Sequence, residues 1–406
     1  MLGTPRACPN TPEPETFASG NPQVAGETRT CAWAFPQPSL AIPAATIKNP
    51  RVPRRLTPRP LGRLALAVMA GAIALIASAT SAQAAYTDSA TVIGSVTVGA
   101  NPAGVAVSPD GTRVYVANNG ANTISVISTQ TNSVVGTVTL ASVPWGLAVS
   151  PDGTRLYASE DNDDKVSQIN TATLQEMGTY TVGSHPRGIA VSSSGARVYV
   201  ANTDSNSVSV INTATNATTA ITVGNTPIGL ALTPDDSRVF VTNYGSNTVS
   251  VVSTASAAVT DTITLGAGAR PYGLAINPAG TRAYVTNYAT SSVTVIDTAT
   301  RSVVGSPIAV GTQPWGVAVT PDGSRVIVTD SGSNRVSIIE AAASTVVQTV
   351  SVSATPTGVA ITPDGTRAWV TRNGSNSVAI LDLGWVGSSG GDGTQIPRAA
   401  MQQFQV

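Results

Sequence analysis

The stretch that decides the fold is SPDGTRVYVAN, at Ser108–Asn118. Its first half is typical of a tight turn, because proline is favoured at the second turn position and glycine accepts a positive φ. Its second half is rich in β-branched and aromatic residues, which favour a strand. The stretch therefore predicts a turn that leads into a β-strand.

This stretch belongs to a unit that recurs seven times in the chain of 406 residues. Each unit carries a P-x-G-[VIL]-A phrase, and successive phrases lie 41 to 44 residues apart. A fixed period of this length is the signature of a repeat architecture. The glycines of the phrase are Gly104, Gly146, Gly188, Gly229, Gly273, Gly316 and Gly358.

The sequence of each unit predicts four short strands. In the first unit these are Gly104–Val107, Arg113–Ala117, Thr123–Ile127 and Val134–Leu140, and none has helical periodicity. Four strands in about 42 residues are typical of a propeller blade. The sequence therefore predicts an all-β, seven-bladed β-propeller of four-stranded blades, with an open solenoid as the alternative.

The two ends of the repeat region favour the closed ring. The last unit stops at Leu383, after its third strand, and its missing fourth phrase stands at the front as VIGSVTV, Val92–Val98. We expect this N-terminal strand to complete the seventh blade, which would leave no open end blade to be capped. The propeller is predicted to span residues 85–383.

The formal net charge of zero is the sum of a basic N-terminal segment and an acidic remainder. Residues 1–84 hold eight Lys and Arg against three Asp and Glu, whereas residues 85–406 hold 14 against 19. Residues 51–84 are typical of a secretion signal, with an arginine-rich start, an apolar run and a small-residue cleavage site. We expect cleavage after Ala84; a membrane anchor is the alternative.

The remaining flanks have no motif of their own. We interpret residues 1–50 as a Pro-rich leader or an over-extended start, and residues 384–406 as a flexible Gly/Ser-rich tail. Cys8 and Cys31 both lie in the leader, so the mature chain is predicted to have no disulfide and no cysteine-based metal site. The expected location is secreted or extracytoplasmic, including the cell surface.

Several phrases resemble one known repeat. They are SPDGTRVYVAN, RVFVTN at Arg238–Asn243, RAYVTN at Arg282–Asn287 and SVTVIDTAT at Ser292–Thr300. Residues 90–383 resemble the YVTN β-propeller repeat, which is also found in archaeal surface-layer proteins. The resemblance implies the propeller fold. It does not select a function, because similar propellers include surface proteins, a periplasmic DNA binder, sugar-lactone hydrolases and cofactor-bearing dehydrogenases.

One arginine position is shared by every unit and is interpreted as structural. A single catalytic group is not needed seven times, so we expect each arginine to bond a turn aspartate or the carbonyls of a neighbouring blade. These residues are Arg113, Arg155, Arg197, Arg238, Arg282, Arg325 and Arg367.

Function is expected where the units differ. The residue before the repeat glycine is Ala103, Trp145, Arg187, Ile228, Tyr272, Trp315 or Thr357. It stands at the start of the innermost strand, and the second strand ends at the same rim. We predict a recognition surface there, since aromatic residues and arginine dominate interfaces. Packing between blades is the alternative. The candidates are Trp145, Arg187, Tyr244, Tyr272, Tyr288, Trp315, His185 and Arg270.

Two further features stand at this rim. His185 is the only histidine and would need a nearby carboxylate to act as a base; an exposed or packing role is the alternative. Glu160, Asp161, Asp163 and Asp164 form the densest charge cluster, which indicates either a Ca²⁺ site or an exposed acidic loop.

These features favour a binding or scaffold module over an enzyme. The expected partner is an extracellular protein or a cell-envelope component, and the expected state is a monomer without a cofactor, Ca²⁺ being the one candidate ion. The acidic mature chain disfavours nucleic acid. The alternative is a lactonase-like hydrolase or lyase with a site at the central channel.

Overall fold

The computed structural model describes residues 89–384, and they form a seven-bladed propeller. Each blade is a four-stranded antiparallel sheet, and in these residues the helices are two 3-10 turns, Ser331–Ser333 and Asn373–Ser375. The predicted fold class is confirmed. Neither helix has the length and hydropathy of a membrane span. The predicted leader, the predicted secretion signal and the rest of the tail lie outside the described residues.

The strands follow the same order in every blade, from the innermost to the outermost. Blade 1 contains β2 (Pro102–Val107), β3 (Arg113–Asn118), β4 (Thr123–Ser128) and β5 (Ser133–Thr139). Blade 2 contains β6 (Pro144–Val149), β7 (Arg155–Glu160), β8 (Lys165–Asn170) and β9 (Glu176–Thr181). Blade 3 contains β10 (Pro186–Val191), β11 (Arg197–Asn202), β12 (Ser207–Asn212) and β13 (Thr218–Thr222). Blade 4 contains β14 (Pro227–Leu232), β15 (Arg238–Asn243), β16 (Thr248–Ser253) and β17 (Ala258–Thr264).

The remaining blades complete the ring. Blade 5 contains β18 (Pro271–Ile276), β19 (Arg282–Asn287), β20 (Ser292–Asp297) and β21 (Ser302–Ala309). Blade 6 contains β22 (Pro314–Val319), β23 (Arg325–Asp330), β24 (Arg335–Glu340) and β25 (Thr345–Ser351). Blade 7 contains β26 (Pro356–Ile361), β27 (Arg367–Arg372), β28 (Ser377–Asp382) and the N-terminal strand β1 (Thr91–Thr97).

The N-terminal strand closes the ring, as predicted. It pairs antiparallel with β28, with Ser95 opposite Ala379. Two side chains add to this pairing. The Gln348 amide donates to the carbonyl of Ala90 at 2.7 Å and accepts from its N–H at 2.8 Å, and Arg372 donates to the Ser95 hydroxyl. Closure therefore joins residues more than 250 positions apart in the chain.

The repeated glycine is required by the approach of neighbouring innermost strands. A Cβ atom on Gly104 would overlap the carbonyl oxygen of Trp145 in the next blade. Gly146 lies in the same way against the carbonyl of Arg187. Only glycine lets the two backbones come this close. The glycine phrase thus sets the narrow inner wall of the ring.

The turn between the first two strands is held by the residues that predicted it. In blade 2, the Ser150 hydroxyl donates to Asp152, and the Thr154 N–H donates to the same carboxylate at 3.1 Å. Gly153 has a φ of 72°, which favours glycine. The hydrogen bond from Ser150, and those from Thr154, hold the pKa of Asp152 below its ordinary value.

Most of the repeated arginines link neighbouring blades. Each donates from its second strand to a carbonyl in the turn after the third strand of the next blade. Arg197 Nη1 lies 2.9 Å from the Thr254 oxygen, and Arg367 Nη1 lies 3.1 Å from that of Thr129. Arg113, Arg238 and Arg325 reach the carbonyls of Thr171, Thr298 and Leu383. Arg282 pairs instead with Asp297 in its own blade, and Arg155 stands at the start of β7.

Candidate functional site

One end of the central channel collects the variable residues of the repeat. We call this end the mouth; it is formed by the starts of the innermost strands and the ends of the second strands. In five of the seven blades, the backbone N–H of the residue just before the innermost strand donates to a side chain. For example, the His185 N–H donates to Asp164 at 3.0 Å, and the Arg270 N–H donates to Asn247 at 2.9 Å. The mouth is therefore built on a rigid backbone.

Five aromatic side chains from four blades meet at the mouth. The centroids of Tyr272 and Trp315 are 4.3 Å apart, and the rings of Trp145 and Trp315 stack with 24° between their planes and 6.3 Å between centroids. The ring centroids of Tyr244 and Tyr288 lie 6.2 and 6.1 Å from that of Tyr272. The five sequence candidates thus form one continuous cluster. Tyr272 is buried, and burial raises the pKa of its hydroxyl.

Two arginines flank the aromatic cluster. The Arg187 guanidinium carbon lies 4.4 Å from the centroid of Trp145, and its Nε lies 3.4 Å from Asp161. Arg270 lies 5.5 Å from the centroid of Tyr244 and is exposed. A guanidinium over an aromatic face is attracted by the ring quadrupole. Arg187 therefore makes a cation–π contact with Trp145 and an ion pair with Asp161 at the mouth.

A cavity of about 250 Å³ lies beside the two indoles. It stands over blades 7 and 1, where the position before the repeat glycine carries the small residues Thr357 and Ala103. Trp145 from blade 2 and Trp315 from blade 6 wall it on two sides, and Asn119 and Asn373 complete its rim. The cavity exists because large side chains at the mouth are missing from two adjacent blades.

Three polar atoms at this cavity are buried without a hydrogen-bond partner among residues 89–384. They are the indole Nε1 atoms of Trp145 and Trp315 and the amide Oδ1 of Asn119. Most buried polar atoms in native proteins are paired. These three atoms are enclosed by neighbouring protein atoms, so their missing partners are not supplied through the cavity.

His185 lies at the mouth but outside this cavity. Its Nδ1 is 3.1 Å from Asp204 Oδ2, and both side chains are more than one third exposed. The pair is close enough for an ionic contact, although Nδ1 forms no hydrogen bond within the described part of the chain. The structure thus brings His185 next to a carboxylate that the sequence did not single out.

The acidic cluster of blade 2 has separate partners. Glu160 is buried and accepts hydrogen bonds from the Ser142 N–H and from Ser167. Asp161 pairs with Arg187, Asp163 with Lys165, and Asp164 with the backbone of His185. Across residues 89–384, no group of three or more acidic, His or Cys side chains converges as a metal site.

A second cavity, of about 340 Å³, lies between the turns of blades 1 and 2. Its wall contains Asp110, Asp152 and Arg113, which belong to the repeated turn and its bonds between blades. This cavity is a product of the repeat. The mouth cavity is the one built from residues that differ between blades.

Sequence reasoning missed the small residues at the mouth. Ala103 and Thr357 occupy the same repeat position as the tryptophans, but the predicted recognition surface rests on the large side chains alone. The signal was present, because ring closure makes blades 7 and 1 neighbours. Two adjacent small residues in an otherwise bulky ring predict a gap.

The fold and the repeats define a β-propeller repeat protein. A YNCE-like beta-propeller model matches residues 188–281, an NHL repeat model matches residues 312–339, and a Choice-of-anchor I domain model matches residues 70–229. No curated protein sequence gives a significant match.

Solved structures share the architecture. The chain is similar to hydrazine synthase of Kuenenia stuttgartiensis, with 22% identity, a TM-score of 0.66, and coverage of 70% of this chain and 96% of that one. It is also similar to a streptogramin B lyase, with 17% identity, a TM-score of 0.62, and coverage of 70% and 94%. Virginiamycin B lyase of Staphylococcus aureus is similar too, with 17% identity, a TM-score of 0.63, and coverage of 71% of this chain and 98% of that one. At these identities the likeness concerns the fold alone.

Proposed function

We propose that the chain is an exported propeller of the YVTN type that acts as an extracytoplasmic binding or scaffold module through its mouth. The single observation that carries this proposal is the continuous cluster of Trp145, Tyr272 and Trp315 beside the mouth cavity. Large aromatic surfaces with a polar edge are typical of recognition sites.

The charges around the cluster support a binding role. Arg187 and Arg270 lie over aromatic rings, and Arg187 is balanced by Asp161. Because Asp161 neutralises Arg187, the mouth has less attraction for a phosphate backbone than two unpaired arginines would have. An extracellular protein or a cell-envelope component is the partner that we propose.

The proposal is tested by capture from cell-envelope material with purified propeller. The double variant Trp145→Ala/Trp315→Ala should lose the partner, because it removes the two stacked indoles. Met177→Ala is the matched control, since it removes an exposed apolar side chain of β9 on the outer edge of blade 2. Thermal unfolding is measured on both variants. Unchanged capture together with a lowered melting temperature would show that the tryptophans only pack.

Export is tested separately. N-terminal sequencing of the secreted protein should give a start at Ala85, directly after the small-residue site. A start well before Ala82 contradicts cleavage and favours an uncleaved leader. The capture experiment is unaffected by this outcome, because it uses the propeller.

The rival function is a hydrolase or lyase with its site at the channel. His185 beside Asp204 is the observation that favours it, since a histidine needs such a carboxylate to work as a base. A lactone-hydrolysis assay with and without Mg²⁺ or Ca²⁺ decides. Turnover that His185→Ala abolishes would establish the enzyme. If the protein hydrolyses no lactone but still captures its partner, the result supports the binding module.

A further inference from the structure

We infer that the mouth cavity over blades 7 and 1 is a pocket for one uncharged aromatic side chain of a protein partner; this inference rests on the proposed function. In five blades the position before the repeat glycine carries a large side chain, but blade 7 has Thr357 and blade 1 has Ala103. The cavity is the space that these two small residues leave. A side chain from a partner would therefore complete the ring of large residues at the mouth.

The two indoles present carbon to the cavity. Trp145 and Trp315 both line it and are only partly buried, whereas their Nε1 atoms are enclosed by protein. The exposed part of each ring is therefore carbon. Apolar surface of this kind is stabilised when another apolar group covers it. The walls of the cavity thus favour an apolar occupant.

The floor of the cavity is apolar or already paired. Ala103 contributes a methyl group, and the Thr357 hydroxyl already donates to the Pro102 carbonyl at 3.1 Å. The exposed polar residues of the lining, Asn101 and Thr355, stand at the rim. An apolar interior inside a polar rim is typical of the centre of a protein–protein interface, where large side chains are anchored in pockets.

The charge of the lining selects a neutral occupant. The eight lining residues are alanine, asparagine, threonine and tryptophan, and none of them ionises. The guanidinium that contacts the wall, that of Arg187, lies over Trp145 and is paired with Asp161. A charged side chain would give up hydration here without gaining a counter-ion. A neutral side chain has no such cost.

The size of the cavity fits one ring. An apolar cavity of roughly 150 Å³ can hold benzene, and pockets for drug-sized ligands begin at roughly 300 Å³. The mouth cavity, at about 250 Å³, lies between these limits. An aromatic ring already packs on one of its walls, since the centroid of Tyr272 lies 4.3 Å from that of Trp315. Aromatic pairs gain stability beyond the area that they bury, so an aromatic side chain is favoured over an aliphatic one.

The first test is titration of the full chain with blocked amino acids, followed by tryptophan fluorescence and by calorimetry. The probes are the N-acetyl amides of phenylalanine, leucine, alanine, lysine and glutamate, which share one backbone and differ in the side chain. We expect the phenylalanine probe to bind about 2- to 10-fold more tightly than the leucine probe. The alanine probe should bind more weakly than both because its methyl group leaves the cavity unfilled, and the two charged probes should also bind more weakly because they lose hydration.

The second test fills the cavity from within. Ala103→Tyr places in blade 1 the residue that blade 5 carries at this repeat position, Tyr272. It should weaken binding of the phenylalanine probe by about 10-fold or more, as loss of a whole buried side-chain contact does. Ala121→Tyr is the matched control, because it adds the same side chain to an exposed residue of the same blade that does not line the cavity. If thermal unfolding shows that Ala103→Tyr fails to fold, Ala103→Ile, which copies Ile228 of blade 4, takes its place.

Capture from cell-envelope material relates the pocket to the partner. Ala103→Tyr should lose the partner, and Ala121→Tyr should keep it. Digestion of the envelope material with a protease before capture should also remove the partner, since the inferred occupant belongs to a protein.

Several outcomes overturn the inference. They are no binding of the phenylalanine probe, binding of the leucine, alanine or charged probes as tight as that of phenylalanine, probe binding that the filled variant leaves unchanged, and a captured partner that contains no protein. The two proposals can fail separately. If Ala103→Tyr retains a capture that still depends on Trp145 and Trp315, only this inference fails. If capture ignores those tryptophans, the proposed function fails.

Discussion

The ion pair between Arg187 and Asp161 makes a quantitative prediction about the mouth. The Arg187 Nε and Asp161 Oδ1 atoms lie 3.4 Å apart, and the side chains are 24% and 12% exposed. At an effective dielectric constant of 20, two unit charges at this distance attract by about 5 kcal/mol before any desolvation. Exposed pairs give roughly 0 to 1 kcal/mol, and breaking buried pairs costs roughly 3 to 5 kcal/mol. We expect a coupling energy of about 2 kcal/mol for this intermediate pair.

The cation–π contact of Arg187 with Trp145 makes a second contribution to the free energy of unfolding. It contributes roughly 0.5 to 2 kcal/mol and is lost in Arg187→Met whichever residue stands at position 161. Arg187→Met should therefore lower the free energy of unfolding by about 3 kcal/mol. Asp161→Asn should lower it by about 2 kcal/mol, and the double variant should be no less stable than Arg187→Met alone.

The assay is a double-mutant cycle measured by urea unfolding. Arg270→Met is the matched control, because its guanidinium lies on the exposed rim over Tyr244; it should cost less than about 1 kcal/mol. A coupling energy below about 0.5 kcal/mol would mean that the two substitutions are additive. That result would refute the argument that Arg187 is held in place over Trp145 by Asp161.

Three further predictions concern stability, closure and metal. Burial raises the pKa of Asp330, which stands where four other blades have asparagine. Folding therefore favours its protonated form, and the destabilisation grows as pH rises from the ordinary pKa to the folded-state pKa. Asp330→Asn should stabilise the protein more at pH 8 than at pH 4, close to the ordinary pKa of 3.8, in thermal unfolding, and an equal effect at both pH values would contradict the shift. Arg372→Ala removes hydrogen bonds to Ser95 and to the Val352 carbonyl, so hydrogen exchange of β1 amides should accelerate while exchange of β16 stays constant; unchanged β1 exchange would show that backbone pairing alone holds the ring shut. EDTA and added Ca²⁺ should leave the melting temperature unchanged, since the acidic residues of blade 2 have separate partners, and a rise with Ca²⁺ would reveal a bound ion.

Much of the fold was predictable because repetition makes local signals reinforce one another. A single SPDG turn is weak evidence, but the same turn and strand at a fixed period define blades. The position of β1 was predictable for a related reason: the phrase at Val92–Val98 is the one that the last unit lacks. The repeated glycine was visible as a pattern, but its cause, contact with the carbonyl of the next blade, needed coordinates.

The candidate site was predictable only as a set of positions. Comparison between units selected the position of Trp145, Arg187, Tyr272 and Trp315, and the structure brings these side chains together. The contacts between them could not be predicted. Asp161 as the partner of Arg187, and Asp204 as the neighbour of His185, depend on how adjacent blades are set around the ring.

The sequence by itself determined the number of blades, the order of strands, the closing strand and the repeat position that carries the large residues of the mouth. Local periodicity and turn chemistry carry this information, so no contact between blades has to be known. Only the tertiary structure decided which of those residues touch. Ring closure sets Ala103 beside Thr357, and the radius of the ring lets Trp145 reach Trp315 over the gap between them. A cavity is the space that side chains leave, and that space depends on distances that no single repeat contains.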